Sequence, residues 1–420
     1  TGWDIMFFWV ARMVMSGYEW AEGLLGEELS KKKGVQPFND VYFTGMVRDE
    51  KRRKMSKSLG NSPDALKLIE RYGADGVRFG MLLSGSAGND IIFDAPIDPK
   101  TKAVANESAK CEQGLKFCNK MWNAMKLLKE LEVVEAPADE ATAKINHLAQ
   151  NWLGHKLNKT LRQVEQNFAQ YRLSDALMNL YTFIWNDFFS EYLEMIKPAY
   201  QHPIDRAALE QGIDYFETLM TILHPFMPFV TEEIWHRLKD RSAGQDCIVS
   251  TYPGSQDFDD ALISQVDAAI DIISKIRFHR KSKGMKDKDP LKLYVRNSDT
   301  VKALFDVEGI QETIMKRAYI SELIFTDEEE IDQTISFVSG TDQFLLEMNI
   351  EIDVEAEVAK LGKDLIHAKG FVTGIEKKLS NERFVNNAPA AVVDKERKKL
   401  EDGLARIKIL EESLAKLQKV

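Results

Sequence analysis

The sequence predicts a mainly α-helical chain that also contains smaller α/β parts. Between residues 106 and 239, apolar residues recur at helical spacing with only short breaks. From Val354 to Leu379 they recur in a strict heptad pattern, which is typical of a coiled coil. The 420 residues exceed what one hydrophobic core usually serves, so we expect several domains. No apolar run approaches the ~20 residues that cross a bilayer, and we therefore predict no membrane span.

The N-terminal region combines apolar segments with a basic loop. Ile5–Val14 is consistent with a buried strand or with a strand that passes into a helix, and Val41–Val47 is a second strand candidate. A basic stretch rich in small residues follows over Arg48–Asn61. Ser62, followed by Pro, is expected to cap a helix that Gly73 ends before the next helix begins.

Residues 106 to 245 are predicted to form a bundle of long amphipathic helices. Ser174 is expected to cap one helix, which ends before Pro198, and Thr231 is expected to cap another. Packed helices bury an apolar face, so the large apolar side chains of this region are expected in the core. They are Trp152, Leu161, Trp185, Phe188 and Trp235.

The segment after Gly244 predicts a small α/β module. Its expected elements are helices over 259–280 and 301–305 and strands over 291–295, 323–326 and 335–338. Beyond it, the heptad seam breaks at Asn386–Pro389 and then continues less regularly to Leu417. Two seams joined by a short turn that contains Pro predict an antiparallel helical hairpin.

Charge is distributed unevenly along the chain. The net charge is 56 − 66 = −10, yet residues 275–288 hold seven basic residues against one acidic residue. Residues 48–57 hold six basic against two acidic residues, and residues 353–420 hold 14 against 12. An acidic body with basic patches can still bind a phosphate backbone.

The three cysteines, Cys111, Cys118 and Cys247, are too few for a disulfide framework or a four-cysteine zinc site. We expect them to be buried thiols. A reducing cytoplasm fits this composition best, and we expect neither a zinc site nor another metal site in this chain.

The basic loop contains the word KMSKS at residues 54–58, directly before a predicted helix. Lys54 and Lys57 lie three residues apart and can face one anion, while Ser56 and Ser58 permit tight turns and donate hydrogen bonds. The start of the following helix also attracts anions. A solvated basic loop is the ordinary alternative, but the pattern favours a polyphosphate ligand.

The KMSKS motif and its flanks resemble the valine-specific family of class I aminoacyl-tRNA synthetases. The flanks are PFNDVYFTGMVRDEKRR before the motif and LGNSPDALKLIERYGADGVRFGMLLS after it. The resemblance covers essentially the whole chain. TGWDIMFFWVARM is similar to the family's catalytic core, and SDALMNLYTFIWNDFFSEYLEMIKP and HPFMPFVTEEIWHRL are similar to its anticodon-binding bundle. The tail KKLSNERFVNNAPAAVVDKERKKLE is similar to its coiled-coil arm.

The resemblance implies five parts and a two-step reaction. Valine would be activated with ATP, in the presence of Mg²⁺, to valyl-adenylate and then transferred to tRNA(Val). The parts would be the C-terminal half of a Rossmann-type catalytic domain with the KMSKS loop over 1–60, a stem-contact connector over 61–105, a helical anticodon-binding domain over 106–245, a small α/β module over 246–350 and a coiled-coil tRNA-binding arm over 351–420.

The resemblance also implies roles for individual residues. Lys54 and Lys57 would be catalytic, and a cation there would act on the charge that develops on the departing pyrophosphate. The residues expected to contact ATP are Lys57, Lys54, Ser56, Ser58, Met46 and Val47, with plain strand packing as the alternative for the last two.

Three further positions match the amino-acid and ribose side of the family's site. Gly2 and Asp4 match the turn at the adenylate ribose, where a carboxylate accepts from hydroxyl groups. Trp9 falls where the family places an aromatic wall of the amino-acid pocket, and core packing is the alternative for it.

Basic residues in two regions are expected to contact the tRNA backbone, with solvated surface as the alternative. The first group precedes Pro290 and consists of Lys275, Arg277, Arg280, Lys281 and Lys283. The second group lies on the arm and consists of Lys377, Lys378, Arg383, Arg397, Lys398 and Lys399.

The chain also departs from the family's pattern. No histidine forms a His-x-Gly-His motif, the other half of the class I ATP site, and the editing domain is missing. The chain therefore resembles a C-terminal portion of the family's enzymes. We expect it to be a monomer that does not bind membranes. We also expect it to be inactive without the missing N-terminal catalytic and editing regions of the same polypeptide. The alternatives are a stand-alone tRNA-binding module and a coiled-coil scaffold, the second of which leaves residues 1–240 unexplained.

Overall fold

Helices dominate the computed structural model, and small sheets accompany them, as the sequence predicts. The structure describes residues 2–85, 88–98, 104–286, 288–347, 354–381 and 390–417. The chain divides into two units: residues 1–138 with 149–259, and residues 139–148 with 260–420. The five finer parts expected from the sequence stay predictions. None of the described helices has both the length and the hydropathy that a membrane span requires.

The first unit consists mainly of helices joined by short connections. They are α1 (Met6–Leu25), α2 (Glu27–Lys33), α3 (Ala65–Ser84), α4 (Ala109–Glu130), α5 (Glu140–Ala169), α6 (Leu173–Thr182), a π-helix (Phe183–Tyr192), α7 (Leu193–Ile196), α8 (Arg206–Leu223) and α9 (Pro228–Leu238). The first residues of α5, 140–148, group with the second unit. Short 3₁₀ turns lie at Trp3–Ile5 and Cys247–Val249.

The N-terminal apolar segment forms a helix. The strand expected within Ile5–Val14 is therefore wrong, since α1 takes up almost all of this segment. The strand expected over Val41–Val47 is limited to β1 (Val47–Arg48), which pairs in parallel with β2 (Ile91–Ile92). Only Val47, the last residue of the predicted strand, therefore belongs to a strand in the structure.

Asp64, and not Ser62, caps α3. The Asp64 carboxylate accepts hydrogen bonds from the backbone amides of Leu66 at 2.9 Å and Lys67 at 3.5 Å, and a cap of this type stabilises a helix by about 1 kcal/mol. Gly73 interrupts the helix with a φ of 74°, so the break falls where the sequence places it.

A further parallel pair of short strands joins the end of α4 to the start of α8. It consists of β3 (Val133–Val134) and β4 (Ile204–Asp205).

Most of the predicted apolar stripe is buried in the first unit. Trp152, Leu161 and Phe188 retain at most 2% of their surface. Trp185 and Trp235 are only half-buried. The Nζ of Lys120 lies 4.2 Å from the ring of Trp185, and the guanidinium of Arg241 lies 3.6 Å from that of Trp235. Two members of the stripe therefore lie at its edge under cations.

The helix caps expected at Ser174 and Thr231 are wrong. Arg172 precedes α6 without a side-chain cap, so Ser174 lies inside the helix. Pro228 begins α9, and the hydroxyl of the buried Thr231 donates to the Met227 carbonyl oxygen at 2.8 Å. The predicted end before Pro198 is confirmed, since α7 ends at Ile196.

The second unit combines a four-stranded sheet with helices. The helices are α10 (Asp260–Ser282), α11 (Asp299–Phe305), α12 (Ile310–Ala318), α13 (Val354–Leu379) and α14 (Ala390–Leu417). The strands β5 (Leu291–Arg296), β6 (Ile320–Thr326), β7 (Thr334–Ser339) and β8 (Asp342–Glu347) pair in the order β6-β5-β8-β7. The sequence prediction located β5, β6 and β7 and missed α12 and β8.

The sheet explains the alternating pattern of β5. It pairs in parallel with β6 and antiparallel with β8, and its residues alternate between buried and half-buried. The two helices α11 and α12 connect the parallel strands, as such a crossover requires. β7 and β8 form a hairpin, with Gly340 at a φ of 59° in its turn.

The C-terminal helices form the predicted antiparallel hairpin. Lys369 of α13 pairs with Glu411 of α14, whereas Lys378 pairs with Glu396. A later residue of α13 thus pairs with an earlier residue of α14, which shows that the two helices are antiparallel. Seam residues Ala368, Val372, Ile375 and Val393 are buried. The break expected at residues 386–389 lies outside the described residues.

Candidate functional site

The basic loop leaves β1 and folds back against it. The Asp49 amide donates to the Arg53 carbonyl oxygen at 2.9 Å, and the Met55 amide donates to the Val47 carbonyl oxygen at 3.0 Å. Arg52 has a left-handed backbone with a φ of 61°, which closes the turn. The turn therefore presents the residues after Met55 at a fixed place beside the strand.

A buried polar network holds both ends of this loop together. The Asp49 side chain is fully buried and accepts hydrogen bonds from the Arg53 amide at 2.9 Å and the Asn61 amide group at 3.1 Å. Asn61 in turn accepts from the Ser56 amide at 3.0 Å and donates to the Lys54 carbonyl oxygen at 3.3 Å. One carboxylate and one amide thus fix the backbone on either side of the KMSKS residues.

The pKa of Asp49 reflects this network. Burial alone would raise it, but the hydrogen bonds from Asn61 and Arg53 and the Arg53 charge outweigh burial and lower the pKa from 3.8 to about 2. Sequence reasoning missed both Asp49 and Asn61. The one indication in the sequence is that these two polar residues lie on either side of the KMSKS motif.

The structure brings Lys54 together with the predicted ribose-side residues. Lys54 Nζ lies 3.1 Å from Oδ2 of Asp4, although 50 positions separate the two residues in sequence. The other carboxylate oxygen, Oδ1, is buried and forms no hydrogen bond with any residue that the structure describes. Gly2 forms a parallel bridge with Thr44, which places Asp4 beside the start of β1. Asp4 therefore connects the start of the chain to the KMSKS loop through its ion pair with Lys54.

Lys57 differs from Lys54 in having no partner. Its side chain is exposed and, within the part of the chain that the structure describes, forms no hydrogen bond or ion pair. Ser56 and Ser58 lie close to it, with their hydroxyl oxygens 3.2 Å apart, and Ser56 also accepts from the Leu59 amide at 3.2 Å. The loop thus presents one unpaired ammonium group next to two hydroxyl groups.

Asp90 positions Met46 and was not predicted from the sequence. It accepts a hydrogen bond from the Met46 amide at 3.0 Å and forms an ion pair with Arg48. The hydrogen bonds from Arg48 and from the Met46 amide lower the pKa of Asp90. At Gly45, a Cβ atom would lie 1.9 Å from the Asn89 carbonyl oxygen, so glycine allows the two segments to approach.

Helix α1 exposes an unusual number of large apolar side chains. None of its residues is buried. Trp9, the predicted pocket wall, is 55% exposed, and so its role stays a prediction. Its exposed neighbours in and around the helix include Trp3, Phe7, Phe8, Met15, Tyr18, Trp20 and Leu24. An apolar helix of this kind needs a covering surface.

One predicted tRNA contact, Arg280, is wrong. This residue retains only 1% of its surface. Its guanidinium donates to the carbonyl oxygens of Asp289 at 2.5 Å and of Ala318 and Tyr319 at 2.9 Å each. Arg280 therefore holds the end of α10 against the sheet, where no phosphate backbone can reach it.

The other members of the first basic group differ in their contacts. Lys275 forms an ion pair of 2.5 Å with Asp271, and Arg277 donates to the Arg317 carbonyl oxygen at 2.9 Å. Lys281 is exposed and Lys283 is half-buried. Together with the correction for Arg280, this leaves a smaller positive surface than the sequence count suggests.

On the arm, one carboxylate engages two of the predicted lysines. Glu396 lies 2.8 Å from Lys399 and 3.3 Å from Lys378, and the hydrogen bond from Lys399 is the main reason for its lowered pKa. Arg397 pairs more loosely with Asp394 at 3.8 Å. Lys377 and Lys398 are exposed, and Arg383 lies outside the described residues.

Comparison with known families agrees with this arrangement. The profile described as "tRNA synthetases class I (I, L, M and V)" matches residues 1–94, and "Anticodon-binding domain of tRNA ligase" matches residues 150–295. The profile described as "Valyl tRNA synthetase tRNA binding arm" matches residues 353–418. The chain belongs to the class I aminoacyl-tRNA synthetase family. The basic loop and its Asp4 partner lie within the first match, and the helical hairpin lies within the third.

Individual relatives are similar to the chain along its whole length. A valine–tRNA ligase of Bacteroides fragilis is 43% identical over 100% of this chain, and one of Bacteroides thetaiotaomicron is 44% identical over 100% of it. A valine–tRNA ligase of Christiangramia forsetii is 42% identical over 99% of it. The chain spans 43–44% of the length of these relatives.

Proposed function

We propose that this chain is the C-terminal portion of a valine–tRNA ligase, which activates valine with ATP to valyl-adenylate and transfers the valyl group to tRNA(Val). The observation that carries the proposal is the contact between Nζ of Lys54 and Oδ2 of Asp4, which lie 3.1 Å apart. This contact brings Lys54, which we propose binds the ATP phosphates, next to Asp4, which we propose binds the ribose hydroxyl groups.

The charges around this contact suit the adenylation step. During the attack of the valine carboxylate on the α-phosphate, negative charge accumulates on the departing pyrophosphate. The unpaired Lys57 ammonium would stabilise that charge, while Asp4 holds Lys54 in place and accepts from the ribose. Mg²⁺ would neutralise phosphate charge when bound, and we assign no residue of this chain to it.

Rigid support of the loop contributes to the proposed activity. The Asp49 and Asn61 network fixes the backbone at both ends of residues 54–58, so that the two lysines are presented without a large ordering cost on binding. Asp90 does the same for Met46. We propose that Met46 and Val47 lie beside the adenine ring.

The exposed apolar side chains of α1 favour this proposal over a stand-alone tRNA-binding module. A module that works alone has no need to expose Trp3, Phe7 and Trp9 by more than half their surface. We propose that the N-terminal catalytic region of the same polypeptide covers this helix and supplies the His-x-Gly-His half of the ATP site.

The experiment that tests the proposal compares the 420-residue chain with a complete enzyme that contains it. Valine-dependent exchange of pyrophosphate into ATP is expected only for the complete enzyme. The chain alone is expected to bind tRNA(Val) more tightly than a tRNA for another amino acid. Exchange activity of the chain alone, or equal binding of both tRNAs at several salt concentrations, would contradict the proposal.

A further inference from the structure

A compact group of side chains that can bind a metal lies at one end of the helical bundle, away from the basic loop. Glu232 and His236 lie one turn apart on α9, and Asp246 approaches from the chain that follows this helix. Nε2 of His236 lies 3.2 Å from Oε1 of Glu232 and 3.1 Å from Oδ1 of Asp246. The three ligand atoms all lie within 4.8 Å of one another.

These separations are close to those of ligands around a tetrahedral zinc ion. With metal–ligand bonds of about 2.0–2.1 Å, neighbouring ligand atoms stand about 3.3 Å apart. The two shortest separations in the group are 3.2 and 3.1 Å. Side-chain adjustment alone would therefore let the three atoms share one ion.

Backbone hydrogen bonds fix the orientation of the Glu232 carboxylate. Oε1 accepts from the Cys247 amide at 2.7 Å, and Oε2 accepts from the Ile248 amide at 3.1 Å. Each oxygen keeps a lone pair for a further partner. Such orientation of a ligand by its surroundings lowers the cost of assembling a metal site.

The His224 ring lies beside the Glu232 carboxylate and contacts Thr231. Since the Thr231 hydroxyl donates to the Met227 carbonyl oxygen at 2.8 Å, its oxygen accepts from Nδ1 of His224, also at 2.8 Å. In the part of the chain that the structure describes, the buried Nε2 of His224 forms no hydrogen bond, and it lies 3.9 Å from Oε2 of Glu232.

We propose that Glu232, His236 and Asp246 bind a divalent transition-metal ion such as Zn²⁺. Mixed imidazole and carboxylate ligands favour zinc over Mg²⁺ or Ca²⁺, which prefer oxygen ligands alone. The ion would fasten α9 to the 3₁₀ turn at Cys247–Val249.

The ligand set contains no cysteine. The buried Cys247 follows Asp246 directly, but its thiol is not among the grouped ligand atoms. The cysteine count that predicts the absence of a zinc site therefore does not bear on a histidine and carboxylate site. The inference is also independent of the proposed aminoacylation activity, because it concerns metal uptake by the chain itself.

The test uses the 420-residue chain, purified without a histidine tag and stripped with a chelator. Titration calorimetry with ZnCl₂ and elemental analysis after dialysis are expected to give one bound ion per chain. An excess of zinc is expected to raise the melting temperature by about 5 °C. MgCl₂ at the same concentration is expected to produce neither effect.

Variants locate the site. His236→Gln and Asp246→Asn change half-exposed side chains, so they are expected to fold normally and to weaken zinc binding by about 100-fold or more. His202→Gln, which changes an exposed histidine of the same unit, is the matched control and should bind zinc like the original chain. Zinc uptake by the original chain no greater than that of His236→Gln, or equal stabilisation by MgCl₂, would overturn the proposal.

Discussion

Asp75 on α3 accepts a hydrogen bond of 2.6 Å from the backbone amide of Val230, 155 positions later in the chain. It also accepts from the Phe229 amide at 3.3 Å. These amides belong to the first turn of α9, where no intrahelical partner exists, so Asp75 caps a helix distant in sequence. Arg78 strengthens the same junction by donating to the carbonyl oxygens of Pro225 and Phe226.

Removal of this long-range cap should destabilise the first unit. Asp75→Ala leaves two partly buried amides without their acceptor and should lower the free energy of unfolding by about 1–2 kcal/mol. Asp75→Asn should cost less, because burial raises the pKa of Asp75 and an amide oxygen still accepts one bond without a buried charge. Urea unfolding followed by tryptophan fluorescence measures both. Asp240→Ala, at an exposed position, is the control, and equal stability of the Ala and Asn variants would contradict the capping role.

The elements that the sequence could predict depend on neighbours in the chain. The break at Gly73, the end of α7 before Pro198 and the heptad seam of α13 all follow from local rules. The cap expected at Thr231 was wrong because a distant residue replaces it. Asp75 accepts from the first turn of α9, and the Thr231 hydroxyl donates to the Met227 carbonyl oxygen instead. Local sequence carries no information about such a partner.

The same distinction applies to the site. The word KMSKS identified the loop, but its support by Asp49 and Asn61 and the pairing of Lys54 with Asp4 depend on tertiary folding. Arg280 shows the opposite error. In sequence it is one of seven basic residues in a short segment. In the structure it is buried, and it donates to the carbonyl oxygens of Ala318 and Tyr319, which lie about 40 positions later in the second unit.

The Asp49 network should make the loop sensitive to acid. The pKa of Asp49 is about 2 in the folded chain against 3.8 ordinarily, so the ionised carboxylate stabilises the fold above about pH 4. This contribution should disappear as the pH falls from about 4 to about 2. The difference in melting temperature between the original chain and Asp49→Asn should therefore be constant from pH 7 to about 4 and should then shrink. A difference that already shrinks between pH 7 and 5 would contradict the lowered pKa.

In a complete enzyme that contains this chain, Lys57→Ala should slow valyl-adenylate formation by about 10² or more. The reason is that the unpaired ammonium would act on charge that develops in the transition state, while ATP binding should weaken much less. Steady-state pyrophosphate exchange separates the two effects. Lys51→Ala, an exposed lysine on the same loop, is the matched control. A raised Michaelis constant for ATP with an unchanged rate constant would show that Lys57 contributes binding only.

The arm should contact the tRNA backbone through Lys377 and Lys398, because these lysines are exposed whereas Lys378 and Lys399 lie against Glu396. Replacement of both by Glu should weaken binding of tRNA(Val) by the 420-residue chain. Each lost phosphate contact removes about 0.7 to 0.9 from the slope of log affinity against log salt, so two lost contacts should flatten it by about 1.5. Filter binding at several salt concentrations measures this slope. Lys302→Glu reverses one exposed charge outside both basic groups and measures the effect of net charge per reversed charge. If the double variant changes log affinity and slope no more than twice as much as this control, the two lysines do not contact tRNA, since long-range repulsion would then account for the whole effect.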